Sequence, residues 1–285
     1  MLFRSSKVLA NRLKKILPPI ITEHQLAFTK ERLIPDNILV AFETLHSMKK
    51  YKGGSYGYMA LNLDMSKAYG KVKWYYLEGI MRKMGFRERW INLVMGCAKI
   101  VSYSVLVNGE PCGVFFPLRG ISQGDPLSPF LFLLYTEGLN GLIKKAELQG
   151  DIHGYPLCRR GPKLTHLLFA DDSLIFCRAT MEECDKVMDL LNKYEDASGK
   201  KVNRSKTSLF FNNSVPEEVK HGIKVKLGLP EIMHYEKFLG LPSLVGKGKK
   251  EGFNYIKEMV WMKLQGWEVK LLSQAEREVL LKAVI

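Results

Sequence analysis

Three aspartates stand at the ends of apolar stretches that are typical of β-strands. Asp64 ends one such stretch, and the neighbours Asp171 and Asp172 lie between the apolar runs at 164–169 and 173–177. Adjacent carboxylates repel each other, and removing an unpaired carboxylate from water is costly. A hairpin turn that exposes the adjacent pair to water would remove that cost, since Asp is common in turns. If the two strands are neighbours, however, all three carboxylates converge at one end of a sheet, and such a cluster needs a cation.

An all-oxygen cluster of this kind favours Mg²⁺ over Zn²⁺. Two Mg²⁺ ions held by shared carboxylates can activate a hydroxyl group and stabilise a departing pyrophosphate. The chain also carries 43 Lys and Arg residues against 29 Asp and Glu residues, a formal net charge of +14. Such an excess is typical of proteins that bind nucleic acid, and less often of proteins on anionic membranes. Any single basic pair, such as Lys200-Lys201, is expected to lie on a solvated surface. The two observations together predict nucleotidyl transfer on a nucleic acid, with a magnesium-dependent nuclease as the alternative enzyme.

A third stretch, residues 119–129, is a loop rich in Gly and Pro that leads into a long apolar helix. Gly120 and Gly124 let the backbone approach a ligand closely. Gln123 can both donate and accept a hydrogen bond. Asp125, which precedes a proline, has a simpler structural explanation as the N-cap of the helix.

Helices and strands alternate along the chain, and several consecutive strands form hairpins, which indicates an α+β fold with a largely antiparallel sheet. The composition, 46% hydrophobic and 25% charged, excludes a disordered or fibrous chain. The longest apolar run, 129–135, is far shorter than the ~20 residues of a membrane span, so no membrane partner is expected. Predicted helices lie at about 3–17, 35–48, 74–84, 87–99, 126–147, 181–198, 216–227, 250–264 and 274–285, and predicted strands at 58–64, 102–108, 113–117, 164–169, 173–177, 207–211 and 238–241.

The three chemistry-bearing stretches, in this order, resemble the reverse transcriptase domain of non-LTR (LINE-type) retrotransposons, especially those of plants. Four further stretches resemble the same family, and together they cover nearly the whole chain. The matching stretches are Leu9-Ala-Asn-Arg-Leu13, 32–37, Leu63-Asp-Met-Ser-Lys-Ala-Tyr69, 119–129, Phe169-Ala-Asp-Asp172, 197–206 and Phe238-Leu-Gly-Leu-Pro242.

The resemblance implies a right-hand polymerase fold with partial fingers, a palm whose antiparallel sheet carries packed helices, and an incomplete thumb. The implied boundaries are 1–56 for the fingers, 57–245 for the palm with a finger-like insertion near 100–118, and 246–285 for a truncated start of the thumb. The implied activity is RNA-directed DNA polymerase, which adds dNTPs to a primer 3′ hydroxyl with two Mg²⁺ ions. The implied partners are an RNA template, a DNA primer and dNTP, in the nucleus or cytoplasm; the oligomeric state stays open.

The resemblance also implies roles for single residues. Asp64 and Asp171 would be direct Mg²⁺ ligands, and Asp172 a weaker or supporting ligand. Tyr69 would lie under the incoming sugar and exclude a 2′-hydroxyl group; the structural alternative is a core tyrosine beside a strand end. Gln123 and Gly124 would pack near the incoming nucleotide and the template.

Two basic side chains complete the implied site. Lys206 matches the lysine that would protonate the departing pyrophosphate, and a plain surface lysine is the alternative. Arg32 could contact the triphosphate, because Arg binds phosphate through two hydrogen bonds. The alternative is a solvated Arg beside a helix.

Three positions differ from the usual family pattern: Gly70 stands where the family has Asp, Ser122 where it has Arg, and Glu31 where it has Gly. The last predicted helix still runs at residue 285, so the chain looks cut inside an element. We therefore expect weak or no extension by the chain alone. The alternative function is an inactive nucleic-acid-binding remnant of a retrotransposon.

Overall fold

The computed structural model describes residues 2–25, 34–51, 57–66, 69–158, 161–170 and 172–231, with a few single positions after residue 253. The chain divides into two compact units, Met1–Met233 and His234–Ile285, and the architecture below is that of the first. The predicted strand at 238–241 lies outside the described residues. Among the described residues, no helix is long and apolar enough to cross a membrane.

The helices up to residue 227 agree with the sequence prediction to within about two residues at each end, which is the usual uncertainty of helix boundaries. The helix at 181–198 shows why, because Thr180 Oγ1 accepts a hydrogen bond from Glu183 N and Gly199 ends the helix with a φ of 81°, as capping chemistry requires. The predicted helices at 250–264 and 274–285 lie almost entirely outside the described residues. The helices are α1 Leu2–Ile16, α2 Ile34–Lys50, α3 Trp74–Lys83, α4 Glu88–Lys99, α5 Ser128–Leu148, α6 Met181–Ser198 and α7 Glu217–Leu227.

The strands are β1 Tyr58–Ser66, β2 Tyr103–Val107, β3 Glu110–Phe115, β4 Tyr155–Pro156, β5 Lys163–Leu164, β6 His166–Phe169, β7 Asp172–Arg178, β8 Lys201–Val202 and β9 Ser208–Phe211. Among the described residues they form one antiparallel sheet of five strands and two small two-stranded sheets. In the main sheet the order is β6-β7-β1-β8, and β9 pairs with β1 beside β8, so β1 is central. The predicted strand at 164–169 is wrong in one respect: it is split at Thr165, and its first part pairs with β4.

The two faces of β1 have different environments. Alternate residues of the strand join the main hydrophobic core together with α3, α5 and α6; these are Met59, Leu61, Leu63 and Met65. Because side chains alternate between the faces of a strand, Ala60, Asn62 and Asp64 lie on the opposite face. Ala60 is fully buried, whereas Asn62 and Asp64 are half-buried. The second face of the sheet is therefore covered at one end and open at the end where β1 stops.

The turn after β1 packs against the loop that precedes α5. Gly120 N donates to Val72 O over 2.8 Å, and Ile121 N donates to Tyr69 O over 3.0 Å. Gly120 has a φ of 93°, and a Cβ at this position would lie 3.0 Å from Gly70 O. Glycine is thus required at Gly120 by both conformation and space. At Gly70 a Cβ would meet nothing within 4 Å.

A polar cluster joins the segment after α1 to α5 and β6. Its members are half-buried Thr22 and the buried residues Gln25, Thr136, Glu137, Asn140, Thr165 and His166. Asn140 Nδ2 donates to Glu137 Oε2 over 3.1 Å, and burial raises the pKa of Glu137. His166 Nε2 lies 2.8 Å from Asn140 Oδ1. Because an amide oxygen only accepts, Nε2 carries the proton, and Nδ1 accepts from Thr165 Oγ1. The neutral ring is consistent with a pKa of His166 that burial, followed by His24 and Lys144, holds well below its ordinary value.

We expect the free energy of unfolding to fall as the pH drops below about 6.5, because the unfolded chain then protonates His166 and the folded chain does not. Glu137 acts in the opposite direction, since its raised pKa contributes stability that is lost as the pH rises. The variant His166→Gln should therefore flatten the acid limb of a pH series of urea unfolding curves. The control His221→Gln removes an exposed imidazole and should keep the wild-type slope; an unchanged slope in His166→Gln would contradict the prediction.

The two neighbouring glycines predict opposite mutational outcomes. Gly70→Asp restores the residue usual in the family and should stay within about 0.5 kcal/mol of the wild-type free energy of unfolding, since its side chain meets open space. Gly120→Ala should lose about 1–3 kcal/mol, because a side chain is strained at positive φ and meets the Gly70 carbonyl. Urea unfolding of the two variants side by side checks this, and equal losses would show that the packing argument is wrong.

Candidate active site

The register of the central strand pair brings two of the predicted metal ligands together. Asp64 of β1 lies directly opposite Asp172 of β7, and both side chains are half-buried. Directly opposite residues share a face, and their Cβ atoms are roughly 4.5–5.5 Å apart. The condition set by the sequence, that the two acid-bearing strands be neighbours, is met. Both carboxylates lie at the open end of the sheet face that is turned away from the helical core.

The connection between β6 and β7 is short and strained. Phe169 pairs with Asp172, so two residues separate the paired ends, and the first of them, Ala170, has a φ of 50°. Two-residue hairpin turns often require positive φ, and a non-glycine residue there costs about 1–3 kcal/mol. Asp171, the second residue, lies outside the described residues, as does Arg32, so their predicted roles stay predictions.

Asn203 contacts Asp64 directly; it lies in the stretch 197–206 that resembles the family, but the sequence analysis gave it no role. Its backbone N donates to Asp64 O over 2.8 Å, and its Nδ2 donates to Asp64 Oδ2 over 2.9 Å. The residue follows β8, which pairs with the end of β1 at Met65 and Ser66. A two-residue strand has no hydrophobic periodicity, so the pattern of the sequence could not place Asn203 beside the carboxylate.

Lys206 lies three residues further on, in a turn next to β8, and its side chain is exposed. Its backbone N donates to Asn203 O over 3.0 Å, which ties the turn to the residue that contacts Asp64. The structure thus brings Lys206 into the neighbourhood of Asp64 through Asn203. Its exposure fits both the implied role in proton donation and the alternative of a surface lysine.

Tyr69 packs on a buried aromatic residue. Its ring lies 4.9 Å from that of Phe132 with an interplanar angle of 18°, while its own side chain stays half-buried. Lys200 Nζ lies 4.3 Å from the centroid of the Phe132 ring. The Tyr69 ring therefore cannot retreat into the core, because fully buried Phe132 fills the space behind it.

Lys200 corrects an expectation drawn from charge patterning. The pair Lys200-Lys201 suggests a solvated surface, but only Lys201 is exposed, and Lys200 is 1% exposed. Burial of a lysine is rare without compensating contacts, and the rings of Phe132 and Tyr135 supply cation–π contacts at 4.3 and 6.0 Å. Phe132 and Tyr135 of α5, which the sequence identifies only as apolar, thus pack against Lys200, and Phe132 also packs against Tyr69.

The loop before α5 is exposed where the sequence predicts nucleotide contact. Gln123 and Gly124 are both exposed, and Gly124 has a φ of 95°. Ser122 Oγ lies 3.1 Å from Tyr103 Oη, so the loop is held to the β2–β3 hairpin. The prediction that Asp125 is the N-cap is wrong: α5 begins at Ser128, and Asp125 Oδ1 accepts from the N of residue 127 over 2.8 Å in a turn that precedes the helix.

The described residues fit a hard divalent cation without completing its site. They contain no group of three His, Cys, Asp or Glu side chains placed to hold a metal ion. They do supply two adjacent, half-exposed carboxylates, Asp64 and Asp172, and oxygen ligands of this kind suit Mg²⁺. The third predicted ligand is Asp171, which the described residues omit.

Comparison with known proteins gives a family match over most of the chain and relatives that share shorter parts of it. Residues 4–256 match the family model for reverse transcriptase (RNA-dependent DNA polymerase). The chain is 50% identical over 68 residues to an uncharacterised mitochondrial protein of Arabidopsis thaliana. The matched residues are 24% of this chain and 56% of that protein. It is 25% identical over 210 residues to the 149 kDa protein of transposon TX1 from Xenopus laevis, covering 74% of this chain and 15% of that protein.

A third relative is the retrovirus-related Pol polyprotein of the type-1 retrotransposable element R2 from Popillia japonica, 26% identical over 137 residues, or 48% of this chain and 21% of that protein. The chain thus spans 56% or less of the length of these relatives. Telomerase from Candida albicans, solved with a fragment of telomeric RNA, superposes with a TM-score of 0.50 at 15% identity, over 73% of this chain and 35% of that chain.

At that identity the structural likeness bears on fold alone, and it confirms the predicted α+β right-hand polymerase fold. The matching sequence stretches, the paired carboxylates and the family model agree with one another. The chain belongs to the reverse transcriptase (RNA-dependent DNA polymerase) family, and its retrotransposon relatives are of the non-LTR type.

Proposed function

We propose that this chain is the core of an RNA-directed DNA polymerase that adds dNTPs to the 3′ hydroxyl of a primer. The observation that carries the proposal is the pairing of Asp64 with Asp172 at the open end of the sheet, in a chain of the reverse transcriptase family. The proposed partners are an RNA template and a DNA primer. The proposed layout has fingers at 1–56, palm at 57–245 and the start of a thumb at 246–285.

Asp64, Asp171 and Asp172 are the residues that would hold two Mg²⁺ ions. When bound, the ions activate the primer hydroxyl and neutralise charge that develops on the triphosphate. The role of the protein is to hold the carboxylates in one place, and the antiparallel register of β1 and β7 does this for Asp64 and Asp172. Lys206, exposed in the adjacent turn, would donate a proton to the departing pyrophosphate.

Tyr69 would select the sugar of the incoming nucleotide. Its ring rests on Phe132, whose ring is fully buried, so the tyrosine has no space to move away from an additional hydroxyl group. Close packing of this kind resists small displacements. The proposed consequence is a preference for dNTP over rNTP.

A cavity of about 380 Å³ lies beside the start of the loop that precedes α5, and it supports a path for single-stranded template. It is lined by Lys73, Trp74, Tyr75, Glu78, Lys99, Leu118 and Arg119. Glu78 offsets Lys99 through an ion pair of 2.6 Å, whereas Arg119 is exposed and no carboxylate of the described residues pairs with it. The exposed ring of Tyr75 and the half-buried ring of Trp74 lie beside cations, an arrangement that suits a strand whose bases stack and whose phosphates are negative.

Primer extension on an RNA template tests the polymerase proposal directly. With Mg²⁺ and dNTPs the 285-residue chain should extend the primer at the low rate expected from its departures from the family pattern. Asp64→Asn should reduce that rate strongly by removing a charged oxygen ligand, and Asp172→Asn should reduce it less, as expected of a supporting ligand. The matched control is Asp189→Asn, which alters an exposed carboxylate on α6 and should leave the rate unchanged.

Two results would reject the proposal in different ways. Salt-dependent binding of RNA without extension would favour the inactive nucleic-acid-binding remnant. Strand cleavage without dNTPs would favour a nuclease.

Arg119 provides a separate test of the template path. Arg119→Ala should weaken the binding of short RNAs similarly for all sequences and lower the slope of log affinity against log salt concentration by about one, because one phosphate contact is lost. Fluorescence anisotropy over a salt series measures the slope. Arg12→Ala, an exposed position on α1 outside the cavity, is the control, and an equal change in both variants would contradict a local contact.

A further inference from the structure

The geometry points to Asn203 as the positioning residue of the active site: it orients the carboxylate of Asp64 and anchors the loop that carries Lys206. This inference rests on the proposed function, because it assigns Asn203 to the metal site proposed above. No charge or hydrophobic pattern of the sequence singles out the residue. The argument follows from the register of the strands and from the hydrogen bonds of the Asn203 side chain and backbone.

The chain from β8 to β9 runs along one edge of β1 with a loop in the middle. Before the loop, Asn203 N donates to Asp64 O over 2.8 Å. After it, Ser208 lies opposite Asn62. Ser208 is five residues after Asn203, whereas their partners on β1, Asn62 and Asp64, are only two residues apart. Three residues between Asn203 and Ser208 therefore loop out of the ladder. Such an insertion beside an active site re-aims side chains, and here it presents Lys206 next to the strand end that carries Asp64.

The Asn203 amide is held at both of its ends. Nδ2 donates to Asp64 Oδ2 over 2.9 Å, and Oδ1 accepts from Ser205 Oγ over 2.8 Å. The bond from Ser205 fixes which end of the amide faces the carboxylate. An amide side chain can donate to the aspartate and accept from the serine at once, whereas a carboxylate in its place could only accept.

The backbone carbonyl of Asn203 closes the loop. It accepts hydrogen bonds from Lys206 N at 3.0 Å, from Thr207 N at 2.9 Å and from Thr207 Oγ1 at 2.9 Å. The same residue therefore binds Asp64 through its side chain and holds the backbone of Lys206 through its carbonyl. Asn203 thus couples the orientation of the Asp64 carboxylate to the position of the loop that carries Lys206.

The expected effect is on metal affinity. Residues that hydrogen-bond to a metal ligand fix its orientation, and their loss typically costs about 10–100-fold in metal affinity or activity. Asn203→Ala removes the bond to Asp64 Oδ2 and keeps the backbone bonds of the loop. Ser205→Ala leaves Asn203 in place but frees its amide to turn, so it should cause a smaller loss.

The experiment measures Mn²⁺ binding to the 285-residue chain by electron paramagnetic resonance, together with primer extension over a Mg²⁺ series. Asn203→Ala should raise the Kd for Mn²⁺ about 10–100-fold, with extension partly restored by excess Mg²⁺. The control Asn213→Ala removes an exposed amide that donates to Lys49 O over 3.1 Å and should bind Mn²⁺ as the wild type does. Circular dichroism checks the fold of each variant, and Ser205→Ala decides the matter if Asn203→Ala does not fold.

The outcomes separate this inference from the polymerase proposal. If Asp64→Asn loses Mn²⁺ binding and Asn203→Ala retains wild-type affinity, the positioning role is overturned. If Asp64→Asn itself binds Mn²⁺ normally, Asp64 holds no metal and the inference is overturned as well. If the wild type binds Mn²⁺ through Asp64 and extends no primer, the polymerase proposal fails, while a weakened affinity in Asn203→Ala still supports the positioning role.

Discussion

The antiparallel register between β1 and β7 is the constraint on which the rest of the structure depends. It sets Asp64 opposite Asp172 and, in the same ladder, Leu61 opposite Ile175 and Met59 opposite Cys177. The apolar pairs face the helical core, and the acidic pair faces away from it. A shift of one residue would drive the carboxylates toward the core and the apolar side chains toward solvent. The burial of the core thus enforces the geometry of the site.

One face of the sheet packs against the helical core and stabilises the fold, and the other face carries Asp64 and Asp172. On one side, α5 buries most of the residues in its first four turns and supplies the aromatic ring of Phe132, which contacts Tyr69 and Lys200. On the other side, the sheet is covered only at the end where β1 begins, so the end with Asp64 stays open. Carboxylates that bind a cation need such an opening, because the free-energy cost of burying two like charges without a cation would be too high.

The loops around the site are held by hydrogen bonds and close backbone contacts, in addition to apolar residues such as Val72 and Ile121 that join the core. Gly120 lies against Gly70, Ser122 contacts Tyr103, and the loop after β8 is closed on Asn203. Two of the three departures from the family pattern, Gly70 and Ser122, fall in these contacts. Gly70 has open space where the family has Asp, and Ser122 has found a partner in the neighbouring hairpin. Neither departure disturbs the pairing of Asp64 with Asp172.

Most of the fold was predictable, because its helices and longer strands carry strong hydrophobic periodicity and clear capping residues, as Thr180 and Gly199 show for α6. Elements of two residues were not predictable, since β8 has too few side chains to show a period. The same limit hid Asn203, whose importance depends on a partner 139 positions away in the chain. Charge patterning misassigned Lys200, because a lysine beside aromatic rings in the fold is indistinguishable in sequence from a lysine in water.

The sequence by itself determined the chemistry that is available: carboxylates at strand ends, a glycine-rich loop, and a basic chain suited to nucleic acid. Only the tertiary structure decided which of these groups meet. Asp64 and Asp172 come together because an antiparallel ladder pairs residues far apart in sequence, and Asn203 joins them because β8 pairs with the end of β1. The physical reason is that side-chain type is a local property of the chain, whereas register is set by the burial of many side chains at once.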